Sequence, residues 1–132
     1  MILLYTCRYS QDGGILSDEQ RAFYEQNGYL VIKELVSPSD LQVSKDRFQS
    51  ICCRDIKVRG LTIMKDVAIA KSEYRANEKA VTKIQHFQND KVLSQYFHSP
   101  AIIPYVASII GEDVVAMHTM LINKPPDPGE WR

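Results

Sequence analysis

The side chains that could hold a metal here are three histidines, His86, His98 and His118. None is followed two residues later by Asp or Glu, so no H-x-D or H-x-E iron pair occurs in the chain. No two of them have the H-x-x-x-H spacing that puts both imidazoles on one helix face for zinc. A nucleophile elbow, a phosphate-binding loop and a dinucleotide fingerprint are equally missing. The cysteines are Cys7, Cys52 and Cys53. An odd count with one adjacent pair is not a disulfide framework, and Cys52-Cys53 reads as reduced thiol packed near a helix core face.

The elements that would position these groups follow from period and punctuation. The chain has 132 residues, 45% apolar and 24% charged, which suits one small globular domain. Sixteen basic and sixteen acidic side chains cancel, which removes the electrostatic case for nucleic acid or an anionic membrane. Asp12-Gly13-Gly14 is a turn signal that closes an irregular start. Ser17-Asp18-Glu19-Gln20 has the form of a capping box, so a helix is expected from Asp18 to Gln26, stopped at Asn27-Gly28. Tyr29 to Ile32 reads as a strand. Ser37-Pro38 opens a second helix to about Arg54, with Leu41, Phe48, Ile51 and Cys52 near one face.

Leu61 to Met64 and Val67 to Ala70 are strand-like, with a polar loop from Lys71 to Glu78. Ala80 to Phe87 alternates weakly and reads as extended. Asn89-Asp90 is placed to cap a short helix through about Phe97, and Ser99-Pro100 starts another through Ile110, stopped by Gly111. Val114 to Ile122 reads as a long strand, and an edge of that length and composition is expected to self-associate.

Four blocks carry a resemblance: LSDEQRAFYEQNGYLVIKELV, GLTIMKDVAIAKSEY, VTKIQHFQNDK and VVAMHTMLINKPPDPG. In order and spacing they resemble the phytanoyl-CoA dioxygenase family, from about Leu16 to Gly129. The resemblance implies an α+β chain, the N-terminal helical and first-strand portion of a double-stranded β-helix. It divides the chain into an irregular segment 1–14, a family segment 15–129 and a divergent end 130–132. It also implies an oxygenase that hydroxylates phytanoyl-CoA in peroxisomal fatty-acid α-oxidation, using Fe(II), 2-oxoglutarate and ascorbate. The family's iron ligands lie beyond the K-P-P-D turn, here Lys124 to Asp127, so the chain is expected to stop short of them and to be inactive alone. A fragment, a splice product and a truncated gene model all fit that expectation. The alternative function is a non-catalytic binding or regulatory fragment of the same enzyme.

Two family positions for 2-oxoglutarate map onto this chain, Lys83 in VTKIQ and Met120 in HTMLI. A lysine suits a dianion because it offers charge and three donors, and a thioether packs on the ligand's apolar stem. Without the resemblance, Lys83 reads as a surface lysine and Met120 as core. His118 matches no family ligand and reads as packing beside Met120, while His86 and His98 read as partly exposed surface residues. The family's R-L-x5-H-L presequence and a C-terminal S-K-L are not seen in these residues. The location implied by the resemblance is therefore peroxisomal, and by the chain as written cytosolic. No stretch of the sequence is apolar and long enough to read as a membrane span.

Overall fold

The computed structural model describes residues 9–65 and 78–124. They form two compact units, one made of residues 9–37 and 97–116, the other of 38–65, 78–96 and 117–124. The strand-like reading of Val67 to Ala70 lies outside the described residues.

In the first unit, α1 spans Asp18–Asn27 and begins with the expected capping box. Ser17 Oγ accepts from the Gln20 N–H at 3.2 Å, and Gln20 Oε1 accepts from the Ser17 N–H at 3.0 Å. Two free donors at the helix start are thereby satisfied, and Asp18 and Glu19 complement the positive end of the dipole. Gly28 ends the helix in the left-handed region at φ 75°, its N–H on the Tyr24 carbonyl at 2.8 Å.

The other helix of this unit, α3, spans Ile103–Ile110, and the Gly111 N–H closes it on the Ala107 carbonyl. The buried Ser108 is its anchor. Ser108 Oγ donates to the Pro104 carbonyl at 2.8 Å and accepts from the Ile15 N–H at 3.0 Å, while its carbonyl accepts from the Gln11 N–H at 2.7 Å. The segment can come this close because residue 14 is glycine: an added Cβ would lie 2.7 Å from Ser108 Cβ.

Two expectations for this unit are corrected. Tyr29 to Ile32 is not a strand. A β-former run needs a neighbouring strand for its backbone, and no strand lies in this unit among the described residues. Tyr29 instead sets its ring edge-on to Phe23, centroids 5.2 Å apart, and Val31 is 68% exposed. Regular α-helix begins at Ile103 rather than at Ser99, whose carbonyl accepts from the Ile102 and Ile103 N–H groups in a preceding turn.

In the second unit, α2 spans Pro38–Cys52 and supplies Phe48, Ile51 and Cys52 to the core, spaced to fall on one face. Leu41 does not join them and is 51% exposed. The sheet is antiparallel, ordered β1 (Thr62–Lys65), β2 (Val81–Gln85) and β3 (Met120–Ile122). Val81, Ile84 and Leu93 complete the buried cluster, with Val58, Leu61, Phe87 and Leu121 packed around it.

The weak alternation of this region has a structural cause. Thr82 is an extra residue in the β1–β2 ladder, because Met64 pairs with Lys83 whereas Lys65 pairs with Val81. Its Oγ1 donates to the Met64 carbonyl at 3.2 Å. The bulge resets the alternation, so that Val81 and Ile84, three positions apart, are both fully buried. Val114 to Ile122 is not one long strand either, since only Met120–Ile122 pairs as strand. Its partner β2 stops at Gln85, and His86 turns into the left-handed region at φ 62°. Thr119 still accepts the His86 N–H at its carbonyl and the Gln88 N–H at its hydroxyl, at 3.0 and 3.1 Å.

Asp90 joins α2 to this sheet. It is 1% exposed, and Oδ2 accepts from Arg47 Nε and Nη2 at 2.9 and 2.7 Å. Oδ1 accepts from the Val92 and Leu93 N–H groups at 3.0 and 2.9 Å, which starts the 3₁₀ turn Leu93–Gln95. Burial alone would push this carboxyl up, but the hydrogen bonds from Arg47, Leu93 and Val92 prevail and hold it below its ordinary value of 3.8.

A depressed folded-state pKa stabilises the fold above the unfolded value, and that contribution is lost as pH falls through the folded value. Urea unfolding is therefore expected to show stability falling as pH drops below about 4. Asp90→Asn should lower stability near neutral pH by about 3 kcal/mol and flatten this acid dependence. An unchanged acid limb in the variant would remove Asp90 as its source. The outer edge of β3 gives a second expectation. Among the described residues no strand covers it, and Ile122 beside it is 60% exposed. Light scattering should detect association of the chain, relieved by Ile122→Lys; equal scattering from both would exclude this edge.

Candidate functional site

The two mapped positions, Lys83 and Met120, lie on adjacent strands. The β2–β3 register pairs Lys83 with Ile122, Ile84 with Leu121 and Gln85 with Met120. Directly opposed residues share a sheet face, and so do residues two apart on a regular strand. Lys83 and Gln85 therefore occupy one face together with Met120 and Ile122. Ile84 points the other way into the core. On the far side of β2, Met64 opposes Lys83 and Thr62 opposes Gln85.

The hydrogen bonds sharpen this picture. The Asn123 N–H reaches the Thr82 carbonyl at 2.9 Å, and the His86 N–H reaches the Thr119 carbonyl. Antiparallel ladders alternate hydrogen-bonded and non-hydrogen-bonded pairs. Lys83 with Ile122 and Gln85 with Met120 are thus non-hydrogen-bonded pairs, the closer kind, with side chains in reach of one another. The face is a small platform: two half-buried polar side chains on the centre strand, rimmed by Met64, Met120 and Ile122, which are 46%, 49% and 60% exposed. Lys83 makes no ion pair with any described carboxylate.

Nothing in the spacing of motifs singles out Gln85, although its distance of two from Lys83 puts it on the same face. Also without a sequence signal is the approach of His86 and His118, whose rings stand edge-on with centroids 6.4 Å apart. His118 is exposed, which corrects its reading as packing. His86 is half-buried and His98 exposed, as expected of surface positions. Met120 also borders an open cavity of about 250 Å³, lined further by Ser44, Phe87, Leu93, Tyr96 and Leu121. None of the described residues lining that cavity is a cation, so the Lys83 face is the better seat for an anion.

The Cys52 thiol is a poor candidate for chemistry. Burial, with Cys53 and Glu78 nearby, pushes the Cys52 thiol up from 9.0 to about 11 against the opposing pull of Lys65. It stays protonated at neutral pH and acts as a small apolar group of the core. Cys53 next to it is exposed.

A search of protein families matches residues 24–131 to the phytanoyl-CoA dioxygenase (PhyH) family. The chain belongs to the phytanoyl-CoA dioxygenase family. It is 51% identical over 123 residues to "Phytanoyl-CoA dioxygenase, peroxisomal" of Homo sapiens and 52% identical over 123 residues to the protein of that name from Rattus norvegicus. A protein of Caenorhabditis elegans named "Probable phytanoyl-CoA dioxygenase" is 49% identical over 126 residues. These alignments cover 93%, 93% and 92% of this chain. The chain spans only 36% of the length of the two mammalian relatives and 40% of the nematode one.

Membership in the phytanoyl-CoA dioxygenase family raises two groups to test against the residues. For an iron ion the described residues do not fit, since no cluster of three His, Cys, Asp or Glu side chains occurs among them. For a dicarboxylate such as 2-oxoglutarate they do fit: a half-buried lysine with no acidic partner among the described residues, and apolar side chains beside it for the carbon stem. No helix among the described residues is long and apolar enough to cross a membrane.

Proposed function

We propose that this chain contributes the first wall of the co-substrate site of a phytanoyl-CoA 2-hydroxylase. Lys83 holds a carboxylate of 2-oxoglutarate, and Met120 packs on its carbon stem. When bound, 2-oxoglutarate would supply two of the four electrons that such an oxygenase spends on dioxygen, the other two coming from the hydroxylated substrate. The Lys83 ammonium contributes charge and three donors, and the strand fixes where that charge stands. The observation carrying this reading is that two positions far apart in sequence, each implied by the family resemblance, meet on one sheet face.

The substrate follows from the same family: phytanoyl-CoA, oxidised at its α-carbon with Fe(II), and with ascorbate to maintain the metal. The iron ligands come from outside these 132 residues, since no histidine here begins an H-x-D pair. The compartment proposed is the peroxisome, named for both mammalian relatives. The alternative is a non-catalytic binding or regulatory fragment of the same enzyme.

Two measurements test this. The 132-residue chain, given Fe(II), ascorbate, 2-oxoglutarate and phytanoyl-CoA, is expected to turn over no 2-oxoglutarate; turnover above a metal-free blank would overturn the assignment of the iron ligands to other residues. In a protein extended with the remainder of the family domain, Lys83→Ala should raise the KM for 2-oxoglutarate about tenfold or more. This is the scale of a lost charge-assisted hydrogen bond, roughly 1.5–3 kcal/mol. Unchanged co-substrate kinetics would return Lys83 to an ordinary surface role.

A further inference from the structure

We propose that Gln85 is a second polar anchor for the carboxylate held by Lys83. The inference rests on the reading of Lys83 as the cation for 2-oxoglutarate. It names a residue that neither the motifs nor the family resemblance assign.

Three observations carry it. Gln85 and Lys83 stand two apart on β2, beyond the Thr82 bulge, so both project from the same side of the sheet. Their Cα atoms are then about 7 Å apart, given a rise near 3.4 Å per residue. The long lysine stem and the shorter glutamine can converge on one carboxylate across that gap. Second, Gln85 is half-buried as a residue, its side-chain amide makes no hydrogen bond with any described residue, and no buried side-chain polar atom among the described residues lacks a partner. The amide is therefore open to solvent and available to a ligand. Third, Gln85 opposes Met120 in a close, non-hydrogen-bonded pair. The polar anchor is thereby placed beside the thioether proposed to pack on the ligand's stem.

The chemistry of the pair is complementary. Lys83 supplies a full charge with little directional demand, whereas the amide N–H supplies a directed donor without adding charge. Gln85→Glu is therefore a sharper probe than Gln85→Ala. It keeps the size, removes the donor, and puts an anion beside both the ligand and the ammonium, which it would neutralise.

The test is titration of the chain, extended with the remainder of the family domain, with 2-oxoglutarate, followed by chemical shifts of backbone and side-chain amides, with circular dichroism to verify each variant's fold. The expected result is saturable binding that shifts the Gln85 side-chain amide. Gln85→Ala should weaken affinity on the order of fivefold to tenfold, and Gln85→Glu should weaken it further. Lys83→Ala should weaken it tenfold or more. Affinity at the parent value in both Gln85 variants, with Lys83→Ala impaired, overturns the role of Gln85 and leaves the co-substrate reading standing. Unimpaired binding in Lys83→Ala, or no saturable shift in the parent chain, overturns that reading and this inference with it.

Discussion

The second unit depends on one buried carboxylate. Asp90 has no access to water, yet it is ionised because every lone pair it presents finds a donor. One oxygen holds the guanidinium of Arg47 on α2, and the other starts the turn that drives Leu93 into the core. Leu93 in turn packs with Ile84 of the central strand and Ile51 of the helix. A single side chain therefore couples the helix, the turn and β2. Without it the turn loses its start, and the layer that supports the centre of the sheet loses a neighbour.

What that layer supports is the opposite face of β2. Ile84 is locked inward, and the strand's pleat then leaves Lys83 and Gln85 no choice but to face outward together. The site is thus a by-product of core packing rather than of a loop. Sites on strands hold their side chains in a narrower range of positions than sites on loops, which suits recognition of a small, doubly charged molecule. The apolar rim of Met64, Met120 and Ile122 is formed by the same rule from the two flanking strands.

Local chemistry was the part of the structure most readable from the sequence. The capping box at Ser17, the stop at Gly28, the proline start of α2 and the cap at Asp90 all act within a few residues. Long-range pairing was far less readable. Tyr29 to Ile32 has the composition of a strand but no strand beside it in its unit. Val114 to Ile122 spans nine positions, of which only Met120, Leu121 and Ile122 find a partner as strand, because β2 turns away at His86. Leu41 lies at the right helical spacing but does not join the core. For the site, the resemblance pointed to Lys83 and Met120, while their shared face came from the long-range register of β2 with β3. Gln85 carried no motif, and the nearness of His86 to His118 rests on the same long-range pairing.

The extra residue at Thr82 also has a meaning for how the molecule avoids mistakes. A short hairpin with strict alternation can slide by a residue and still form a ladder, with every side chain changing sides. Here a slide of β2 that exchanged Ile84 for Lys83 would drive an unpaired ammonium into the apolar interior, at a penalty of several kcal/mol. Thr82 makes the correct alignment distinct, since only one pairing lets both Val81 and Ile84 turn inward around it. The irregularity thus marks one alignment, and a one-residue slip carries the cost of its own misplaced charge.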